Sequence, residues 1–179
     1  MSFEDSNEFP DYLGGDPAAF GELVARYQHS LFGFLGRMGL EPAVCEEIAQ
    51  ETFLSAWTNR KRYDANKAAV STWLFTIARN LALNHLSKKT VAISHEPETV
   101  EKTDSAPDPS EQIELDESIT RLRQALNTLS PDDREVIATC YTPEIDNKSD
   151  VLCCKAGTLR TRLSRARQRL SAALSKLDK

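Results

Sequence analysis

Residues 71–89 read STWLFTIARNLALNHLSKK, and this stretch decides the fold class of the chain. At 100° per residue, its apolar side chains fall on one helical face around Leu74, Ile77 and Leu81. Apolar residues recur at spacings of three and four through the rest of the sequence, and no sustained alternation of β-branched residues indicates a strand. The sequence therefore predicts an all-α protein.

Working outward, the segment that follows this helix divides the chain. Residues 91–110 read VAISHEPETVEKTDSAPDPS, with three prolines, many acidic residues and no apolar period. Such a composition is typical of a linker. We therefore expect two small helical domains, residues 10–90 and 113–179, joined by a flexible acidic linker over residues 91–112.

Charge is distributed unevenly along the chain, whose net charge is −5. Residues 91–120 contain one Lys or Arg against nine Asp or Glu, whereas residues 153–179 contain eight basic residues and a single acid, Asp178. A basic tail on an acidic protein suggests a polyanionic partner.

Several classes of protein are disfavoured by the sequence. No apolar run is long enough to span a membrane and the N-terminus lacks the pattern of a signal peptide, so we expect a cytoplasmic protein without membrane insertion. The four cysteines show no CxxC spacing, which favours free thiols and no metal site. There is no phosphate loop and no recognisable nucleophile-and-base order, so neither an enzyme nor a cofactor is predicted.

The last helix, expected from about Gly157, is strongly amphipathic. Its apolar stripe is opposed by a basic polar face, and a short helix and a turn precede it. This arrangement is typical of a helix-turn-helix, whose second helix reads a DNA major groove. The alternative is a solvated basic face. The polar side carries Thr158, Arg160, Thr161, Arg162, Ser164, Arg165, Arg167 and Arg169.

The helix over residues 42–59 has two different faces. Its small residues form a packing face around Cys45 and Ala56, while the nearly opposite side carries Glu47, Gln50, Leu54 and Trp57. A Trp beside hydrogen-bonding groups suits a protein interface. Alternatively, Trp57 and Phe53 pack under the neighbouring helix, and the spacing leaves both interpretations open.

The polar side of the helix in residues 71–89 carries Thr72, Thr76, Arg79, Asn80 and Ser87, whereas His85 lies with the packing side. Trp73 and Tyr63 flank the preceding loop. Aromatic rings beside cations and amides are what a single-stranded nucleic-acid site needs. A buried Trp with a Lys pair at the helix C-terminus fits equally well.

Four stretches in order carry a family resemblance: EEIAQETFLSAW, STWLFTIARNLALNHLSKK, LSPDDREVI and AGTLRTRLSRARQRL. With the acidic linker between the second and third, they resemble an extracytoplasmic-function (ECF) sigma factor of the sigma-70 family. The resemblance covers roughly residues 10–90 and 113–175.

The resemblance implies a specificity subunit that binds core RNA polymerase through its β′ and β subunits, opens promoter DNA and directs initiation of a specific, signal-responsive regulon. It also implies an anti-sigma factor and a monomeric free state. Residues implied to bind the polymerase are Glu47, Gln50, Glu51, Leu54 and Trp57. Those implied to hold the minus-ten strand are Tyr63, Asn66, Ser71, Trp73, Thr76, Arg79, Asn80 and Lys88. Those implied at the minus-thirty-five element are Arg160, Thr161, Ser164 and Arg165 for bases, with Thr158 and Arg162 for phosphates.

One region departs from the family pattern. The stretch CYTPEIDNKSDVLCCKAGT, residues 140–158, is about two residues shorter than usual and lacks a Gly turn, with Cys153 in place of the small turn residue. We expect a short or strained supporting helix and weakened minus-thirty-five binding. A further hypothesis is that Cys140, Cys153 and Cys154 meet as a thiol sensor or partial zinc site, against small apolar packing.

Two functions of different class remain at this point. The first is a sigma factor with no enzymatic activity of its own. The second is a helix-turn-helix repressor or activator that binds duplex DNA through its basic domain, dimerises through the other and needs no polymerase. Tight duplex binding without polymerase would favour the second.

Overall fold

The computed structural model of the protein describes residues 15–93 and 111–177. Within these ranges the chain forms helices, turns and loops and no strand, which confirms the all-α prediction. A single 3-10 turn, Arg60–Arg62, follows the second helix. The α-helices of the described ranges are α1 (Pro17–Arg37), α2 (Pro42–Asn59), α3 (Val70–Ile93), α4 (Glu111–Asn127), α5 (Pro131–Cys140), α6 (Lys148–Val151) and α7 (Ala156–Leu177).

Two helix starts follow directly from local sequence. The Asp16 side chain accepts a hydrogen bond from the Ala18 amide at 3.0 Å, and Pro17 occupies the first turn of α1. The Ser130 hydroxyl accepts from the Asp133 amide at 3.2 Å at the start of α5. Each cap satisfies an amide that has no partner inside the helix.

The expected linker is shorter at both ends than the sequence suggested. Helix α3 continues to Ile93 and α4 begins at Glu111, so both helices extend into residues 91–112. No Pro or Gly lies between residues 71 and 96 to end α3 earlier. Residues 94–110, the rest of that segment, lie outside the described residues, as do residues 10–14 of the expected first domain.

The larger core lies among α1, α2 and α3. Phe75 of α3 is fully buried at its centre, with its ring edge-on to Phe34 at 5.3 Å and to Tyr27 at 6.4 Å between centroids. Edge-to-face geometry is favourable because the positive ring edge meets a negative ring face. This core fixes the orientation of α2 and α3, the helices that carry two of the implied binding surfaces.

A smaller core lies among α4, α5 and α7. It is formed by Leu126, Leu129, Ile137 and Ala166, with Leu170 half-buried against it. Of the apolar stripe expected on α7, only Ala166 is fully buried, and Leu177 is exposed. Helix α7 spans roughly 33 Å and its neighbour α5 about 15 Å at 1.5 Å per residue, so α5 cannot cover α7 over its whole length.

The two halves pack directly against each other. Ala138, Ile145 and Val151, from the second half, are buried in one cluster with the core of the first half. Contacts join α1 to α5 and α3 to α6. The expectation of two domains related only through a tether therefore understated their contact, because the apolar residues of α5 and α6 also complete the larger core.

Candidate functional site

The first implied surface is an exposed strip on α2, the α2 face, made of Glu47, Gln50, Glu51 and Leu54. All four side chains are exposed, and Leu54, at 64%, is the most exposed large apolar side chain in the part of the chain that the structure describes. The opposite side of α2 is buried through Cys45, Ile48 and Ala56, as its small residues indicated. An apolar group surrounded by acids and an amide has the composition of a binding anchor.

Trp57, the fifth residue implied for this surface, packs mainly against other side chains of the same protein. Its ring lies 4.9 Å from that of Phe20 and packs on the core, and the Arg60 guanidinium lies 4.4 Å above it. Phe53 is buried. The packing interpretation therefore holds for both aromatic residues, while the rest of the strip remains available to a partner.

A groove of about 460 Å³ between α1 and α2 borders the α2 face. On the α1 side the groove is lined by Val24, Gln28, His29 and Phe32. Gln50 of α2 lines the groove and also belongs to the α2 face. The sequence did not indicate the α1 contribution, because periodicity identifies the faces of one helix and not which neighbouring helix adds to them. In the structure Phe32 of this groove is 38% exposed.

The second implied surface lies at the loop before α3. The Tyr63 and Trp73 rings pack at 5.1 Å between centroids, both half-buried. Burial is the main cause that raises the pKa of Tyr63, with the neighbouring Asp64 charge second. The sequence left Trp73 open between a nucleic-acid contact and a buried position. In the structure it packs on the core, and its ring also contacts Tyr63.

The loop itself is shaped by Asp64. Its carboxylate accepts hydrogen bonds from the Asn66 backbone amide at 3.0 Å and from the Asn66 side chain at 3.1 Å, and these bonds hold its pKa below the ordinary value. Asn66 is thereby held in a defined turn while remaining exposed. At the other end of the surface, Lys88 is also exposed.

Between these ends, part of the polar side of α3 is covered. Ser71 and Thr72 are 2% and 3% exposed, against the expectation that Thr72 lies on an outward side. The Ser71 hydroxyl donates to Asp146 of the second half at 2.7 Å, and Arg79 forms an ion pair with Glu135. The correction has a tertiary cause for Ser71 and Arg79, since their partners lie on another part of the chain.

Two implied residues on the same helix keep local partners. Thr76 is half-buried and donates its hydroxyl proton to the Thr72 carbonyl at 2.6 Å. Asn80 is exposed and accepts from Arg79 at 3.1 Å. His85 is half-buried, as its position near the packing side indicated.

The third implied surface is the polar side of α7. Thr158, Arg160, Thr161, Ser164 and Arg165 are all exposed along its first turns. This set, which we call the α7 face, presents two guanidinium groups and three hydroxyls to solvent, the donors that pair with base edges and phosphates. The sequence therefore identified these positions correctly as accessible.

Arg162 differs from its neighbours because it pairs inside the protein. Its guanidinium lies 3.5 Å from Glu135, and its side chain is 31% exposed. A second cross-helix pair, Arg169 with both oxygens of Asp133 at 2.9 and 2.6 Å, fixes α7 against the start of α5. Both hydrogen bonds come from one guanidinium nitrogen, Nη1 of Arg169, so the pair is a charge-assisted contact through a single donor atom.

The shortened turn before α7 has the expected form. Helix α6 contains four residues, and Cys153 has φ +49°, the single positive φ at a non-glycine residue in the described ranges. The left-handed conformation costs an L-residue roughly 1–2 kcal/mol. The sequence lacks the glycine that usually forms this turn, and Cys153 adopts the left-handed backbone conformation in its place.

The cysteines do not form a ligand set. In residues 15–93 and 111–177, no three His, Cys, Asp or Glu side chains converge where they could hold a metal ion. Cys45 is buried, which raises the pKa of its thiol to about 11, and burial also raises the pKa of Cys140.

None of the helices in the described ranges has the length and apolarity needed to cross a membrane.

Comparisons with known proteins agree on the family to which this chain is similar. The family model for Sigma-70 region 2 matches residues 23–91. The ECF RNA polymerase sigma factor RpoE of Cereibacter sphaeroides is 30% identical and covers 89% of this chain and 88% of its own length. The ECF RNA polymerase sigma factor SigM of Bacillus subtilis is 31% identical, covering 84% of this chain and 92% of its own.

A solved structure shares the arrangement of both halves. CnrH, determined in complex with the cytosolic domain of CnrY, matches with a TM-score of 0.69 at 25% identity over 96% of this chain and 97% of that chain. The structural similarity therefore includes the C-terminal half, which the Sigma-70 region 2 match does not reach.

Proposed function

The chain belongs to the ECF sigma factors of the sigma-70 family, and we propose that its three surfaces divide the work of promoter recognition. In this proposal residues 10–90 are region 2, which binds core polymerase and the minus-ten element. Residues 113–179 are region 4, a helix-turn-helix for the minus-thirty-five element, and residues 91–112 connect them. The protein acts in the cytoplasm without catalysing a reaction itself, and it is a monomer when free.

The α2 face carries the proposal for polymerase binding. Leu54 is exposed to 64% beside two acids and an amide, and a groove of about 460 Å³ lies next to it. An exposed apolar side chain is costly to leave in water, and burying it against a partner recovers that cost. The β′ subunit of core polymerase is the partner that the family resemblance implies.

Promoter contacts are assigned to the other two surfaces. Tyr63, Asn66, Trp73, Thr76 and Lys88 surround the loop and α3, where unstacked bases would meet aromatic faces and cations. Ser71, Arg79 and Asn80 complete this site. The α7 face supplies base contacts through Arg160, Thr161, Ser164 and Arg165, and Thr158 and Arg162 supply phosphate contacts.

A protein partner that holds the free chain inactive is part of the same proposal. CnrH, similar over nearly the whole chain, was solved with the cytosolic domain of a second protein, CnrY. We expect an anti-sigma factor for this chain as well. The repressor alternative has no comparable support, because relatives that match both halves are sigma factors.

The test compares two leucine truncations in the binding of purified protein to core RNA polymerase. Leu54→Ala should weaken binding by about tenfold or more, since truncating an anchor costs roughly 2 kcal/mol. Leu177→Ala removes the same type of exposed side chain, 41% accessible, far along α7, and should leave binding unchanged. Both variants should fold normally because neither side chain is buried.

A second experiment overexpresses the protein in cells and maps the new transcript starts. The promoters of these transcripts should share two upstream elements. Equal binding of core polymerase by Leu54→Ala and wild type would remove the α2 face from the proposal. Failure of the wild-type protein to bind core polymerase at all would overturn the function itself, and tight duplex binding without polymerase would favour the repressor.

A further inference from the structure

The loop between the 3-10 turn and α3 is held in shape by one residue, Asp64. Its Oδ1 atom accepts hydrogen bonds from the backbone amide and the side-chain amide of Asn66 at 3.0 and 3.1 Å, and its Oδ2 atom lies 3.5 Å from the Lys67 ammonium. Its backbone carbonyl accepts from the amides of Lys67 and Ala68 at 3.0 and 3.3 Å. Asp64 therefore bonds to three consecutive residues of the loop.

The local sequence gives this turn little other support. Residues 63–69 read YDANKAA and contain neither Gly nor Pro, the residues whose backbone preferences most often define a turn. An Asp side chain can take over that role by bonding to the backbone two residues further on. The tip of the loop is exposed and consists of Ala65, Asn66 and Lys67. The shape of this tip therefore depends on the bonds to Asp64.

The charge of Asp64 also determines which way the Asn66 side chain faces. An ionised carboxylate only accepts hydrogen bonds, so the Asn66 amide must direct its nitrogen toward Asp64. The Asn66 carbonyl oxygen and the second hydrogen of its amide nitrogen are left for another partner. The bonds from Asn66, with the backbone bond as the larger cause, lower the pKa of Asp64 and keep its carboxylate ionised at neutral pH.

Lys67 is the second side chain that Asp64 holds. The Lys67 side chain is 82% exposed and that of Asp64 38% exposed, and an ion pair this accessible adds little to the stability of the fold. Its effect is one of placement, because it keeps the ammonium beside Asn66. A lysine ammonium has three N–H donors, so two of them are left for another acceptor.

We propose that Asp64 is a positioning residue of the minus-ten surface, which directs Asn66 toward an unstacked base and holds Lys67 beside a phosphate of the same strand. Lys67 is not among the residues that the family resemblance implies. The proposal rests on the proposed function, which assigns this loop to the minus-ten strand. The Tyr63 and Trp73 rings, 5.1 Å apart, border the loop and offer a face on which a base can stack. Asn66 supplies hydrogen bonds that distinguish one base from another, whereas Lys67 supplies charge.

The test uses the protein bound to core RNA polymerase, as holoenzyme. Asp64→Ala removes both the acceptor and the charge, whereas Asp64→Asn removes the charge and keeps an acceptor oxygen in the same place. A purely electrostatic role for Asp64 predicts equal effects of the two replacements, and a positioning role predicts unequal ones. Asn66→Ala identifies the base position that depends on Asn66. The matched control is Glu22→Ala, which removes an exposed carboxylate from α1 of the same half.

Each holoenzyme is mixed with single strands of random sequence, about 20 nucleotides long, and the bound strands are sequenced. At the position that Asn66→Ala equalises, wild type should prefer one base by about tenfold, as expected for a paired amide contact. Asp64→Ala should reduce this preference to about twofold or less and leave the preferences at other positions unchanged. Asp64→Asn should keep a preference of at least about fivefold, because Asn also forms this type of turn.

Lys67 gives a second and independent measurement. Lys67→Gln should weaken the binding of all strands alike, without changing any base preference. It should reduce the slope of log affinity against log salt by about 0.7, the value expected for one phosphate of a single strand. The control Lys176→Gln removes an exposed lysine near the end of α7 and should leave both affinity and slope unchanged. Equal salt slopes for the two lysine variants would reject the phosphate contact.

The positioning role would be overturned if Asp64→Ala kept the base preferences of Glu22→Ala, or if Asp64→Ala and Asp64→Asn lost them equally. A loss spread over every base position would reject it as well, because it reports a general disturbance of the surface. An Asn66→Ala protein that keeps every preference would have the same consequence. All of these replacements are at accessible positions, and far-UV circular dichroism with core polymerase binding checks that each variant is folded.

Failure of the proposed function gives a different result. In that case wild type does not bind core polymerase, or its holoenzyme prefers no base at any position. A wild-type holoenzyme with clear base preferences, together with an Asp64→Ala holoenzyme that shares all of them, would reject the positioning role and leave the sigma-factor assignment intact.

Discussion

Gly39 and Gly36 lie three residues apart at the end of α1, and the same substitution should have opposite effects at the two positions. Gly39 has φ +82°, in the turn between α1 and α2. A Cβ there would lie 2.3 Å from Arg134 Nη1 and 2.7 Å from Asn127 Oδ1, both from the second half. Gly36 is helical, and a Cβ would meet nothing within 4 Å.

The magnitudes follow from backbone geometry. Gly39→Ala forces an L-residue into the left-handed region, which costs roughly 1–2 kcal/mol, and the ends of the Arg134 and Asn127 side chains must move aside at small additional cost. Gly36→Ala should instead stabilise the protein by about 0.5–1 kcal/mol, because alanine loses less conformational entropy in a helix. For a chain of this size these correspond to a fall in Tm of about 2–8 °C and a rise of about 1–4 °C.

Thermal and urea unfolding, followed by far-UV circular dichroism, measure both variants against wild type. A background that carries both Arg134→Ala and Asn127→Ala isolates the backbone contribution at Gly39, since both close approaches disappear there. A Gly39→Ala protein as stable as wild type, or one that gains stability as Gly36→Ala does, would refute the reasoning.

Two further predictions concern the cysteines. Cys153→Gly should raise the free energy of unfolding by up to about 1 kcal/mol in urea titrations, because glycine removes the left-handed strain at φ +49° while adding some freedom to the unfolded chain. In thiol titrations of the native protein at pH 8, the exposed Cys153 should react first and Cys45 last. With a pKa of about 11, roughly one Cys45 thiol in a thousand is ionised at that pH, and the group is also buried. Modification of Cys45 at the rate of Cys153 would contradict this order.

Local features of the structure could be predicted from the sequence because their causes lie within a few residues. The capping bonds of Asp16 and Ser130 span two and three positions, and both helix starts were correct. The missing glycine near Cys153 indicated a strained turn for the same reason. The accessibility of Leu54 and of the α7 face follows from helical periodicity, since a polar face opposite a packing face remains exposed.

Some properties of the same helices could not be predicted in this way. Periodicity showed Trp57 on the side away from the small residues of α2 but not that Phe20 of α1 would cover it. It placed Thr72 on the polar side of α3, where the structure buries it. The environment of Trp57 is supplied by a residue outside its own helix, and periodicity within one helix contains no information about that residue.

The sequence alone determined that this chain is helical, that it has two halves, where most of its helices begin, and that the polar faces of α2 and α7 are exposed. Only the tertiary structure decided that the halves close on each other. The bonds that do so join Arg79 to Glu135 across 56 positions and Ser71 to Asp146 across 75. Periodicity extends over a few helical turns, whereas a buried ion pair depends on where two distant segments meet in space.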